Sequence, residues 1–206
     1  MEAMNTEKVL CVPTQDVIES VGKFNVPHDF AVGVLAHLED IASHVQRDSG
    51  DGTGCEFDES LQQLIPYIVV WDGGHNVLCY QRKGGGEKRL DAKLSVGFGG
   101  HVNDGDKTFL DGVNRELAEE VYSSWKDKSI SFNPQVLVRG PIGFIRETES
   151  AVGRVHTGLL YTAQPAGFTD TFPLEAEVWS WVDARILTGH PRLERWSQIA
   201  LEMLGF

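Results

Sequence analysis

Residues 98–125 read FGGHVNDGDKTFLDGVNRELAEEVYSSW, a Gly-Gly turn followed by a helix with three glutamates on one side. At about 100° per residue, a helix over Asn114–Ser123 sets Glu116, Glu119 and Glu120 at i, i+3 and i+4, within an arc of roughly 100°. Leu110, Val113, Leu117 and Val121 fall on the neighbouring arc and are expected to face a core. Like charges at this spacing weaken a helix by roughly 0.2–0.5 kcal/mol per pair, so something must offset them. A hard divalent cation bound by carboxylate oxygens is the simplest candidate; a solvated, functionless Glu-rich face is the plain alternative. Arg115, beside Glu116 and one turn before Glu119, can hold a carboxylate in its guanidinium fork. Gly99 and Gly100 can bring a backbone carbonyl close to the same ion, where a bulkier residue would obstruct it.

This stretch resembles the Nudix hydrolase signature, Gly-x5-Glu-x7-Arg-Glu-U-x-Glu-Glu-x-Gly-U with U aliphatic. Gly100 begins it, Asp106 stands where the first Glu belongs, and Arg115 to Glu120 spell its core, RELAEE. Three departures accompany the match. Asp106 is shorter than Glu, the gap from Asp106 to Arg115 holds one residue more, and Tyr122 replaces the final Gly, so the helix is expected to run on to Trp125. The resemblance implies an α/β (α+β) fold from about Leu61 to Phe206, with a mixed β-sheet sandwiched between helices. Residues 1–60 are then an N-terminal extension packed on the main domain. It also implies metal ligation by Glu116, Glu119, Glu120 and the carbonyl of Gly99, with Mg2+ as the cofactor and Mn2+ as an alternative. Arg115 would orient the cluster, and Glu120 or Glu116 would act as general base, with Glu147, Glu149, Glu175 and Glu177 as outside options. The implied reaction cleaves the pyrophosphate of a nucleoside diphosphate linked to another group. Two other readings stay open: a weakly active or inactive module that binds a nucleotide or sugar diphosphate, and an isoprenoid diphosphate isomerase, for which Cys79 would be the acid/base thiol.

The whole chain is consistent with a soluble enzyme. Its 206 residues, 41% hydrophobic and 23% charged, suit one domain with a sizeable core. No apolar run is long enough to span a bilayer, and MEAMNTEKVL lacks a secretory plan. A net charge of -12 argues against a nucleic-acid polymer, whose backbone is met by clustered Lys and Arg. An anionic small molecule bridged by cations is compatible with that charge. Cys11, Cys55 and Cys79 show no metal or disulfide spacing, so a reducing cytoplasm is expected. A homodimer stays open beside a monomer.

Outside the signature, Val9–Val12 reads as a strand ended by Pro13, and Asp29–Gln46 as one amphipathic helix capped by Asp29. The Gly- and Asp-rich stretch 48–58 reads as a loop. Ile65–Trp71, DGGHN and Val77–Arg82 read as a hairpin. Arg82, Lys88 and Arg89 form a basic cluster that either meets phosphate or is solvated. His101 either contacts substrate or caps the turn. Val136–Ile145, Val155–Ala163 and Ala176–Val182 read as strands, and Asp183–Leu187 and Leu193–Leu204 as closing helices. Trp71, Phe98 and Tyr161 are core aromatics or, less favoured, a base-stacking platform.

Overall fold

In the computed structural model, which describes residues 7–22, 26–27, 31–82, 93–122, 136–165 and 179–206, the chain is organised around one strand. The first 60 residues lead to it with β1 (Lys8–Pro13), α1 (Thr14–Val21), β2 (Val26–Pro27), α2 (Ala31–Ile41) and β3 (Ser43–Gln46), and the central strand β4 is Leu61–Val70. Then come β5 (Asn76–Gln81), β6 (Leu94–Ser95), β7 (Gly97–Phe98), α3 (Phe109–Glu116) and a π-helical turn over Leu117–Tyr122. The remainder comprises β8 (Val136–Ile145), α4 (Ala151–Val155), β9 (His156–Pro165), β10 (Trp179–Asp183), α5 (Ala184–Leu187) and α6 (Arg195–Met203).

A seven-stranded mixed sheet runs β2-β8-β9-β4-β1-β3, with β7 also paired to β4. One edge of β4 pairs parallel with β9 from Gln63 to Val70. The other edge is shared: β1 takes Leu61 to Gln63, and β7 takes Ile68 and Val69. Pro66 lies between these two partners and has no N–H to offer a ladder. The segment after β7 crosses this gap, and Leu10 N donates to Val102 O at 2.9 Å as the chain reaches β1. Thus the interruption in β4 pairing is where the Gly-Gly turn runs.

Both faces of β4 are covered, which explains why its sequence is a continuous apolar run instead of an alternating one. Leu64, Ile68 and Val70 join a core with Val17, Leu35 and Leu38 of α1 and α2, Phe109 and Val113 of α3, and Leu117 and Val121 of the π-turn. Tyr67 and Val69 join the opposite core with Val77 of the small sheet β10-β5-β6 and Leu187, Ile199 and Leu201 from α5 and α6. This is the expected mixed sheet with helices on either side. No helix among the described residues is long and apolar enough to cross a membrane.

Three expectations are corrected. The helix read over Asp29–Gln46 ends at Ile41, and Ser43–Gln46 is an edge strand antiparallel to β1, with Val45 opposite Val9; strand pairing with β1 overrides the helical period there. Asp29 lies outside the described residues. The hairpin read over β4 and β5 has a single isolated bridge, Trp71 to Val77, and the two strands enter different sheets. Asp72 accepts from Gly74 N, Asn76 N and Asn76 Nδ2, Gly73 takes φ 86°, and the turn swings β5 away to pair with β10. Finally, Leu110 is 51% exposed and Phe109, 1% exposed, takes the core position.

Phe109, Val113, Leu117 and Val121 then recur at every fourth residue, all buried. On a 3.6-residue helix such a spacing precesses by about 40° per step. The wider π-turn, which bonds i to i+5, counteracts that drift and keeps Val121 on the core. Phe109 also stacks on Tyr161, with ring centroids 6.1 Å apart. Phe109→Ala is expected to lower unfolding free energy by about 3–5 kcal/mol, whereas Leu110→Ala is expected to stay within about 0.5 kcal/mol of the parent, both measured by urea denaturation.

Candidate metal and active site

The start of α3 is held from both sides of the chain. Thr108 caps it, accepting from Asp111 N, while the Asp111 carboxylate accepts from Thr108 N, a reciprocal capping box. Glu39 of α2 reaches over to accept from Phe109 N at 2.7 Å, a carboxylate at the positive end of the helix. At the other end of α3 stands Arg115, on which the site is built.

Arg115 grips Asp106 through Nε–Oδ1 at 3.1 Å and Nη2–Oδ2 at 2.9 Å. Its Nη2 also donates to the carbonyl of His101 at 2.6 Å, and its Nη1 to Glu116 Oε1 at 2.7 Å and Glu119 Oε2 at 3.1 Å. One guanidinium therefore joins the loop, the Gly-Gly turn and the glutamate face. Burial raises the Asp106 carboxyl, but hydrogen bonds from Arg115 and from Asn103 N, with the Arg115 charge, outweigh it and hold the group below its ordinary range. The departure from Glu to Asp has a structural account: Asp106 is the partner of the arginine.

Glu116 is buried, 6% exposed. Its carboxyl is pushed up, first by burial and then by the charges of Glu119 and Glu120, against the pull of Arg115. A Cβ on Gly100 would lie 2.9 Å from both Glu116 oxygens, and a Cβ on Gly99, at φ 142°, would lie 2.0 Å from Pro66 O. The double glycine thus lets the turn pass between the sheet edge and the Glu116 carboxylate. Glu119 and Glu120 are exposed. This donor set suits a hard divalent cation: carboxylate oxygens opposed by one guanidinium, beside a turn from which side chains are excluded. The sequence led to the expectation that all three carboxylates converge. The structure brings Glu116 and Glu119 together on Arg115 Nη1 and leaves Glu120 outward; the three do not gather within 4.8 Å of one another.

The other sequence candidates are placed as follows. Arg82 donates to the buried Glu194 at 2.8 Å, so its charge is engaged with α6. Lys88, Arg89, Glu175 and Glu177 lie outside the described residues. Glu147 accepts from Glu149 N, Ser150 N and Ser150 Oγ within its own turn. Phe98 and Tyr161 are buried in the core, and Trp71 packs edge-on against Phe206. Cys79 is buried and its thiol is pushed up to about 11 by burial and the Glu194 charge, which leaves it neutral and enclosed. His101 Nε2 lies 3.4 Å from His156 Nε2. Burial, then the charges of Arg47 and His156, push its imidazole down to about 3. Among the described residues, Glu56, His101 and His156 are the group whose ligand atoms all lie within 4.8 Å of one another. Sequence reasoning missed Glu56 and His156, because residues 56, 101 and 156 share no local spacing.

No family model matches the chain. Protein YmaB of Bacillus subtilis (strain 168) is 34% identical over 214 residues, covering 96% of this chain and 97% of that protein. The crystal structure of Tm1382, a candidate Nudix hydrolase, superposes with a TM-score of 0.67 at 27% identity, over 96% of this chain and 98% of its own. The chain belongs to the Nudix hydrolase family. The match to Tm1382 covers 96% of this chain, and the strands of residues 1–60 lie in the same sheet as β4.

In this Nudix hydrolase Asp106→Asn leaves Arg115 without its forked ionic partner. The Asp106 carboxyl is depressed in the folded state, so the pair's stabilisation is present above the unfolded value near pH ~3.9 and is lost as pH falls through the folded value. Asp106→Asn is expected to cost about 2 kcal/mol at pH 7. The difference from the parent should shrink as pH is lowered below about 4, followed by denaturant titration at a series of pH values.

Proposed function

We propose that this protein is a metal-dependent hydrolase that cleaves the pyrophosphate bond of a nucleoside diphosphate linked to another moiety. The observation that carries the reading is the Arg115 fork, which holds Asp106, Glu116 and Glu119 together beside the Gly99–Gly100 turn. Glu116, Glu119, Glu120 and the carbonyl of Gly99 would hold Mg2+, with Mn2+ as a substitute. When bound, such an ion neutralises charge on the phosphate oxygens and makes a bound water more acidic.

The protein's own residues do the rest. Arg115 fixes the carboxylates in place and, with its donors engaged by them and by the His101 carbonyl, orients instead of reacting. Glu116 is held on one oxygen by Arg115 and is suited to ligation. Glu120, exposed on the π-turn, would take a proton from the attacking water, with Glu116 as the alternative base. Substrate phosphates must approach from the solvent side, where Glu119 is 58% exposed. We place the protein in a reducing cytoplasm, in keeping with its three free, buried cysteines.

Because Glu119 and Glu120 are exposed, Glu119→Gln and Glu120→Gln test chemistry without unfolding the chain. With a panel of nucleoside diphosphate derivatives and Mg2+ or Mn2+, each is expected to lower kcat by roughly 10²- to 10⁴-fold, read as phosphate released after phosphatase treatment. Thermal stabilisation by a panel member without product under either metal would replace the hydrolase with a diphosphate-binding module.

A further inference from the structure

Next to the Gly-Gly turn, three side chains from distant parts of the sequence meet. Glu56 comes from the loop after β3, His101 from the residue after Gly100, and His156 from the first position of β9. Each of them is at least partly withdrawn from solvent, and His156 is 5% exposed. Two imidazoles and one carboxylate form a mixed nitrogen and oxygen donor set, unlike the all-oxygen set on the signature helix.

The hydrogen bonds around the cluster prepare it for a ligand. His156 Nδ1 lies 2.8 Å from Val152 O. A carbonyl can only accept, so Nδ1 carries the proton and Nε2 presents its lone pair. This is the carbonyl contact by which metal-bound histidines are oriented. The His101 Nε2 faces it at 3.4 Å. Two nitrogens bound to a tetrahedral zinc at about 2.0–2.1 Å stand about 3.3–3.4 Å apart, and a cis pair on an octahedral ion stands closer, at about 3.0 Å. Arg47 Nε donates to Glu56 Oε2 at 3.2 Å, which steadies that carboxylate beside the histidines. The positive charge of Arg47 is opposed by a second carboxylate, Glu7, at 3.2 Å.

We propose that Glu56, His101 and His156 form a second metal site, distinct from the glutamate cluster, that binds a borderline transition-metal ion, Zn2+ in the first place, in a tetrahedral His2Glu arrangement with water in the fourth position. Its role is positional. The ion would tie the 47–60 loop and the start of β9 to His101, whose carbonyl accepts from Arg115 Nη2 at 2.6 Å. Occupancy there therefore bears on the placement of the arginine that gathers the glutamates.

The test uses the full chain stripped with a chelator and then titrated with Zn2+ in millimolar Mg2+, which keeps the carboxylate cluster occupied by the harder ion. Calorimetry and metal analysis after desalting should show one retained zinc, and cobalt(II) in its place should give the intense visible bands of a tetrahedral nitrogen-containing site. The zinc should persist in Glu119→Gln and be weakened at least tenfold in Glu56→Gln and His101→Gln. The cobalt spectrum of the parent protein needs no variant, so a poorly folding histidine mutant cannot mask the answer. Zinc lost in Glu119→Gln but kept in His101→Gln would assign it to the signature helix and overturn the proposal. No retained zinc would reduce the cluster to a hydrogen-bonded histidine pair, and a six-coordinate cobalt spectrum would overturn the tetrahedral His2Glu arrangement.

Discussion

The structure depends on one guanidinium in a chain of net charge -12. Arg115 uses its fork on Asp106 and its remaining donors on Glu116, Glu119 and the His101 carbonyl. Without that cation the buried Glu116 would face two neighbouring carboxylates without the charge that opposes their repulsion, and the loop after the Gly-Gly turn would lose this tie to the helix. A lysine could not substitute, because a point charge lacks the planar geometry that engages both oxygens of Asp106 while still reaching the glutamates.

What brings the turn to the arginine is an interruption in the sheet. β4 is paired without a break from Gln63 to Val70 with β9 on one edge, but Pro66 removes a donor in the middle of the strand and the other edge changes partner from β1 to β7. The chain crosses that break with two glycines, pressed between Pro66 O and the Glu116 carboxylate. The same turn continues into His101, whose backbone faces Arg115 while its side chain faces His156. A few residues thus separate a hard, all-oxygen environment from one of mixed nitrogen and oxygen donors.

Much of the site was legible because it is local. RELAEE lies on one continuous helical segment and the Gly-Gly turn is a few residues upstream, so spacing alone placed these groups near one another. Asp106 was harder to read: its shortened side chain and the extra residue before Arg115 looked like losses, yet the bidentate contact forms. Leu110 and Phe109 exchanged roles because the helix begins at Phe109 and widens into a π-turn, so a strict 3.6-residue period assigns the wrong neighbour to the core.

By itself the sequence determined the strands and helices with strong apolar patterns, the mixed α/β class and the carboxylate helix, since each of these reflects interactions between residues close in the chain. Only the tertiary structure decided that β4 and β5 part into separate sheets, that residues 43–46 leave a helix to pair with β1, and that Glu56, His101 and His156 meet. Those outcomes rest on contacts across tens of residues, where backbone pairing and burial on two sides of a sheet outweigh local preference, and no periodicity in one segment records which distant segment will lie beside it.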